Sequence, residues 1–254
     1  MRETLFSYRV RFAKMSELND PFEGRPYLVP QFDDPARQQQ EIYKTALDDA
    51  HRAGLNGPEA IRDASLAVAA MNSPMTEGMT QRLMAEVIEE SFWIYCLTAT
   101  REPILLWSHY ADGHKGIALH FRPLPFPVLL DVNYSEKYPE YRYPSADATV
   151  VDEATKAMLH TKAMQWKYEE EYRVIRSVSS PKIEQVYRDI GWAWEGQIAT
   201  LPDSVLIGVT LGAAMPNETV RELTAELADR RPLVEVWQAA AALNTYMLEF
   251  HRVR

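Results

Sequence analysis

From Phe92 onward the sequence breaks into short apolar runs, "FWIYCLT", "GIALHF", "VLLDVNY", "EYRVIRSV", "SVLIGVTLG", "PLVEVWQ" and "TYMLEFHRV", each bounded by Pro, Gly, Asn or Asp. Runs of this length, rich in β-branched and aromatic residues, predict strands. Helical spacing separates only some of them. Residues 152–169 carry a stripe of Ala154, Ala157, Met158 and Met164, and "PNETVRELTAELADR" is amphipathic behind Pro216 and Asn217. Strands and helices that do not alternate regularly are not the pattern of a doubly wound sheet. The expected class is therefore α+β, a mixed, mainly antiparallel sheet with flanking helices and a helical insertion.

The insertion lies before this region, at about residues 34–91. Apolar Ile42, Tyr43, Ala46, Leu47 and Ala50 recur at helical spacing behind Asp34 as N-cap and Pro35 at the first helical position, and Gly54 marks the stop. Further helices open at Pro58 and near Thr76. The block has too few large apolar residues for a core of its own, so residues 1–254 read as a single domain carrying an insertion. Ahead of it, in "LFSYRVRF", Phe6, Tyr8, Val10 and Phe12 alternate with Ser7, Arg9 and Arg11, which predicts an early strand. In "LNDPFEG" the Asn-Asp-Pro sequence sets a turn in which Asn19 and Asp20 bond local backbone donors.

Charge narrows the function. Lys+Arg 27 against Asp+Glu 36 gives a net charge of −9, which opposes charge-driven binding to nucleic acid or anionic lipid. A local basic face could still form from Arg9, Arg11 and Lys14 with Arg230, Arg231, Arg252 and Arg254. The single cysteine, Cys96, excludes an intramolecular disulfide and a Cys-rich zinc site; within "FWIYCLT" it is expected to be a buried, inert thiol. No apolar run approaches the ~18 residues of a membrane span, and the first ten residues do not read as a signal peptide, so a cytoplasmic protein without a membrane partner is expected.

Two stretches carry side chains with chemical potential. In "PILLWSHYADGHKG" a short helix opens at Pro103 and ends at Gly113. On it Trp107 and Tyr110 read as core or groove wall, and Ser108 and His109, about 100° apart, make no local Ser-His pair. His109 and Asp112 lie one turn apart, but His114 falls beyond the glycine break and the spacing is not that of a metal cage, so no metal is expected. His114, in a glycine-flanked loop before a strand, is the better substrate contact. In "WKYEEEYRVI" an extended chain would put Glu169, Glu171 and Arg173 on one face and Glu170, Tyr172 and Val174 on the other. Two carboxylates beside an arginine can tune an acid or base; the plainer reading is a strand-surface ion pair worth about 0–1 kcal/mol. Asn19, Asp20 and Glu23 either cap their turn or hydrogen-bond a ribose or base.

The order of "LNDPFEG", "LLWSHYADGHKGIALHF" and "KAMQWKYEEEYRVI" resembles the bacterial DUF2971 family, whose pattern is Asn-Asp-Pro-Phe-Glu, Trp-Ser-His-Tyr-Ala with His-x-Gly, and Trp-x-x-Glu-x-Glu-x-Arg. Only "LFSYR" stands where members usually have a further strand before the turn. The Glu-x-Glu, the arginines of the first strand and the mixed sheet also resemble the ADP-ribosyltransferase-like fold. That resemblance implies an enzyme acting on the glycosidic bond of NAD or a related nucleotide, with Glu171 catalytic, Glu169 its helper and Arg9 or Arg11 on a phosphate. His109 completes the catalytic candidates. The remaining substrate contacts are Asn19, Asp20, Glu23, Trp107, Ser108, Tyr110, His114 and Arg173, with all three motifs expected on one cleft. The rival readings are a hydrolase, metal-assisted or not, using His109, Asp112, His114 and the glutamates, or a non-enzymatic binding module for a macromolecular target in a phage-defence or toxin context.

Overall fold

A computed structural model of the protein describes all residues except 1, 31–33, 72–73, 123–125, 127–128, 144–147, 179 and 254; Arg254 of the basic group thus lies outside the described residues. The elements run α1 (Arg2–Ser7), β1 (Arg9–Arg11), β2 (Tyr27–Pro30), α2 (Pro35–Arg52), α3 (Gly57–Met71), α4 (Pro74–Ser91), β3 (Phe92–Thr98) and α5 (Ile104–Tyr110). They continue with β4 (Ile117–Phe121), β5 (Leu129–Asp131), β6 (Asn133–Ser135), β7 (Glu140–Tyr143), α6 (Ala148–His160), β8 (Thr161–Ala163) and β9 (Glu171–Ser177). The last are α7 (Pro181–Asp189), β10 (Ala193–Glu195), β11 (Ile198–Thr200), β12 (Leu206–Leu211), α8 (Asn217–Arg230), β13 (Glu235–Ala241) and β14 (Leu248–Arg252). The class is α+β, and antiparallel pairings outnumber parallel ones. The chain divides into two compact units: Met1–Lys14, Phe92–Val132 and Gln165–Arg254 form one, Met15–Ser91 and Asn133–Met164 the other.

In the first unit β14-β13-β12-β4 form a sheet with one parallel pair, β12 with β13. Its core joins Leu5 and Phe6 to Leu206, Val209 and Leu211 and to Leu223 and Leu227 of α8. Each such side chain contributes about 1.5–3 kcal/mol on full burial. Here the structure corrects the strand expected from Phe6. Leu5 and Phe6 both enter this core from a short helix, Arg2–Ser7, and Tyr8 follows it at φ 55°. Arg231 stacks over the Tyr8 ring at 3.9 Å and donates to the Phe6 carbonyl. Only Arg9–Arg11 is strand, with Val10 buried and pairing Ala199 of β11.

A second core in the same unit packs Val10 and Phe12 against Val174, Tyr187, Trp192 and Ala199. The Phe12 ring meets Trp194 edge-on at 4.8 Å, and the Tyr187 hydroxyl donates to the Ile175 carbonyl at 2.9 Å. β9 is the middle strand between β3 and β5. Ala13 bridges Ile94 on β3, and Ile94 is buried, whereas Cys96, two residues beyond that bridge, is exposed. The buried thiol expected from the apolar run is thereby corrected.

The second unit contains the helical block. Asp34 accepts from Ala36 N at 3.0 Å, Pro35 opens α2 and Gly54 sits at φ 84° beyond it, as the caps predict. β2 pairs with β7 and β6 with β8, both in parallel. The helix expected over 152–169 starts earlier and stops at His160, because Thr161–Ala163 pairs with Asn133–Ser135 as a strand.

Candidate functional site

α5 opens after Pro103, whose extended backbone (φ −62°, ψ 120°) leads into the helix. Its exit is unusual: Asp112, Gly113 and His114 all lie in the left-handed region, at φ 47°, 57° and 68°. For non-glycine residues this costs about 1–3 kcal/mol each and persists only when the surroundings fix it. They do so on both sides. His114 N donates to the Trp107 carbonyl at 3.1 Å and Gly116 N to that of Ala111 at 2.7 Å, while Ala214 N and Gly212 N donate to the His114 and Gly116 carbonyls, each at 2.9 Å. The approach is so close that a Cβ on Gly212 would overlap the His114 carbonyl oxygen.

This loop decides where the helix side chains point. Trp107 is buried, donates from Nε1 to the Arg101 carbonyl at 2.7 Å and lies nearly parallel to the His114 ring, 15° between planes. It is scaffold, as its place on an apolar helix face suggests. Ser108 Oγ stands 3.1 Å from both the Ile104 carbonyl oxygen and His114 Nε2. His109 Nδ1 is 3.2 Å from the Tyr168 hydroxyl, with the Trp166 ring edge-on at 5.7 Å. The Tyr110 hydroxyl donates to Glu169 Oε1 at 2.7 Å.

Glu169 is reached differently from what the sequence suggests. The chain is not extended over 166–170: Met164–Glu169 is a 3-10 helix, Glu170 turns at φ 44° and the strand begins at Glu171. Thr98 Oγ1 donates to the Glu169 carbonyl and Ala99 N to that of Glu170, tying the turn to the end of β3. Glu169, Glu171 and Arg173 are buried while Glu170 and Tyr172 are exposed, but Val174, expected with the latter, is fully buried because it packs into a core with Val10, Phe12 and Tyr187. Arg173 Nε donates to Glu171 Oε1 at 2.7 Å and Nη2 to Oε2 at 3.4 Å. Arg173 is 0% and Glu171 4% exposed, so the surface-pair valuation fails. In such a pair, loss of one partner costs about 3–5 kcal/mol.

A cleft of about 440 Å³ adjoins α5, lined by Pro103, Ile104, Leu105, Met247 and Phe250 and sharing Tyr168 with His109. A polar network also attaches to this region. Arg101 Nη1 donates to Thr210 Oγ1 at 2.8 Å, His120 Nε2 is 2.8 Å from the same oxygen, and the guanidinium sits 4.2 Å from the Phe250 centroid. Burial and then the Arg101 charge, partly offset by Glu235, push the His120 imidazole down to about 4. Sequence reading missed Arg101, His120 and Thr210, which no local spacing marks. Trp166 and Tyr168 carried a signal, an aromatic pair two residues apart directly before Glu169.

Arg9 and Arg11 belong to β1, and the Asn-Asp-Pro motif to the second unit. Arg9 and Arg11 flank buried Val10, and Arg9 pairs with Glu195 at 2.8 Å. In the second unit the Asn-Asp-Pro turn forms: Asp20 Oδ1 accepts from Phe22 N at 2.9 Å, and Asn19 is exposed. Glu23 is buried with Lys162, whose Nζ lies 3.5 Å from its Oε1. Among the described residues no three His, Cys, Asp or Glu side chains gather as a metal cage, and no helix is long and apolar enough to cross a membrane.

Fold and site define an α+β protein in which a helix-loop rich in His and aromatic residues meets a buried Glu-x-Glu-x-Arg strand start. Residues 106–174 match the model of the family DUF2971, described as a protein of unknown function. The match takes in Trp107 to His114 and Glu169 to Arg173, and leaves the Asn-Asp-Pro turn outside. No curated protein and no solved structure matches the chain.

Proposed function

We propose that the chain is an enzyme acting at the glycosidic carbon of NAD or a related nucleotide, with Glu171 and Glu169 as the anionic groups beside the reacting sugar. The reading is carried by one observation: two carboxylates two residues apart, both withdrawn from water, each have a donor of their own, the Tyr110 hydroxyl on Glu169 and Arg173 on Glu171. Departure of nicotinamide leaves positive charge on the ribose, and a preoriented anion in a water-poor site stabilises it. His109, Trp166 and Tyr168 offer aromatic faces and polar edges to a base, with Ser108 and His114 on the same helix-loop. Arg9 or Arg11, on β1 of the same unit, serves a phosphate.

The test is nicotinamide release from NAD, or transfer of labelled ADP-ribose to a lysate. Glu169→Gln and Glu171→Gln are each expected to slow turnover about a hundredfold, equivalent to about 3 kcal/mol in the barrier. Glu170→Gln, at an exposed turn position, should stay within about twofold. Glu171→Gln also weakens the ion pair of buried Arg173, so melting must accompany the assay, and Glu169→Gln is the cleaner variant. A well-folded wild type that turns over no NAD-type substrate overturns the reading.

A further inference from the structure

We propose that Ser108 and His114 form a nucleophile-base pair that accepts an acyl group from an activated ester. An ordinary helical serine bonds only the carbonyl four residues back. Ser108 does this with Ile104, but its oxygen is equally close, 3.1 Å, to His114 Nε2. The one hydroxyl proton therefore has two acceptors, and in the tautomer carrying its proton on Nδ1 the imidazole takes it. That approach is not a free consequence of the chain path. It requires left-handed backbone at Asp112 and His114, held by hydrogen bonds on both sides of the loop. Strain of this kind, maintained to set one imidazole against one hydroxyl, is characteristic of functional sites. The pair lies on the helix-loop that the NAD reading also uses, but its chemistry needs neither glutamate.

The chemistry follows from the atoms. Ser108 Oγ attacks the acyl carbon while its proton passes to His114 Nε2. Collapse of the tetrahedral intermediate breaks the bond to the leaving oxygen or sulfur, which departs with the electron pair and takes the proton from Nε2. Water then attacks the acyl-serine, giving its proton to His114, which returns it to Ser108 Oγ; the net change is ester plus water to acid plus alcohol or thiol. Ser108 lies exposed on the surface, so the substrates it suits are those whose leaving group needs little help, aryl esters or thioesters.

The probe is a fluorophosphonate on the full chain, with the adduct located by peptide mass mapping. One phosphonyl group on Ser108 is expected, with none in Ser108→Ala. His114→Asn removes the base but keeps a residue that tolerates left-handed backbone, and should slow labelling a hundredfold or more. His114→Gln provides a second variant without an imidazole, and melting of both verifies the fold. Absence of any Ser108 adduct in the wild type, or equal labelling rates in either folded His114 variant, overturns the proposal.

Discussion

His120 should make the fold acid-sensitive between pH 6.5 and 4. Thr210 Oγ1 already accepts from Arg101, and with a neutral ring its own proton goes to His120 Nε2. Protonating the imidazole turns Nε2 into a donor toward the same oxygen and adds a second positive charge beside Arg101, on a half-buried ring. The ordinary value of 6.5 therefore falls to about 4. Above pH 6.5 both folded and unfolded chains hold a neutral ring and this residue contributes no pH dependence. As pH drops toward 4 the unfolded chain takes up a proton that the native state refuses, and stability falls. Below 4 both are protonated and the loss is complete. The full shift would correspond to about 3 kcal/mol, and screening of the part of the ring open to water brings this to about 1–2 kcal/mol. Denaturant titrations of wild type and His120→Gln at pH 7 and pH 4 measure it, since the carboxamide can accept the Thr210 hydroxyl but does not titrate. The wild type should lose about 1–2 kcal/mol more than the variant over that interval. Equal losses in the two proteins would refute the argument.

Removing the buried guanidinium with Arg173→Met should destabilise by about 3–5 kcal/mol in the same titration, whereas Glu171→Leu combined with Arg173→Met should cost less than the two single variants added together, because their ion pair is lost only once. Gly212→Ala forces a Cβ onto the His114 carbonyl and should cost about 1–3 kcal/mol, read as a lower melting midpoint, and should also displace His114 from Ser108, read as slower Ser108 labelling. Asp34→Ala removes the acceptor for Ala36 N and should cost α2 about 1 kcal/mol, checked by amide exchange in its first turn.

What was legible in the sequence was what neighbours along the chain decide. Asp34, Pro35 and Gly54 bound their helix through local hydrogen bonds and backbone angles, and Phe92–Thr98 announced itself by an unbroken apolar run. Leu5 and Phe6 were misread because a period-2 pattern running from Phe6 through Phe12 hid a change of element at Tyr8, beyond the helix Arg2–Ser7. Thr161–Ala163 was misread as helix because its partner strand lies nearly thirty residues earlier. At the site, the alternation of Glu169 to Arg173 gave the right exposed and buried sides and failed only at Val174, although a 3-10 helix and a left-handed Glu170, not a strand, deliver Glu169. The contact of Ser108 with His114 escaped because helical spacing compares Ser108 with His109, while the partner arrives through a reversal after Asp112.

The first unit is assembled from three stretches of chain, and this sets a timetable for synthesis. Val10 pairs with Ala199, and Leu5 and Phe6 pack on Leu206, Leu223 and Leu227. At about 5–20 residues per second, the start of the chain waits roughly 10–40 s on the ribosome before its partners emerge. Throughout that interval an apolar segment and an open strand edge stay uncovered, while the residues of Met15–Ser91 and Asn133–Met164 are complete by Met164 and free to fold first.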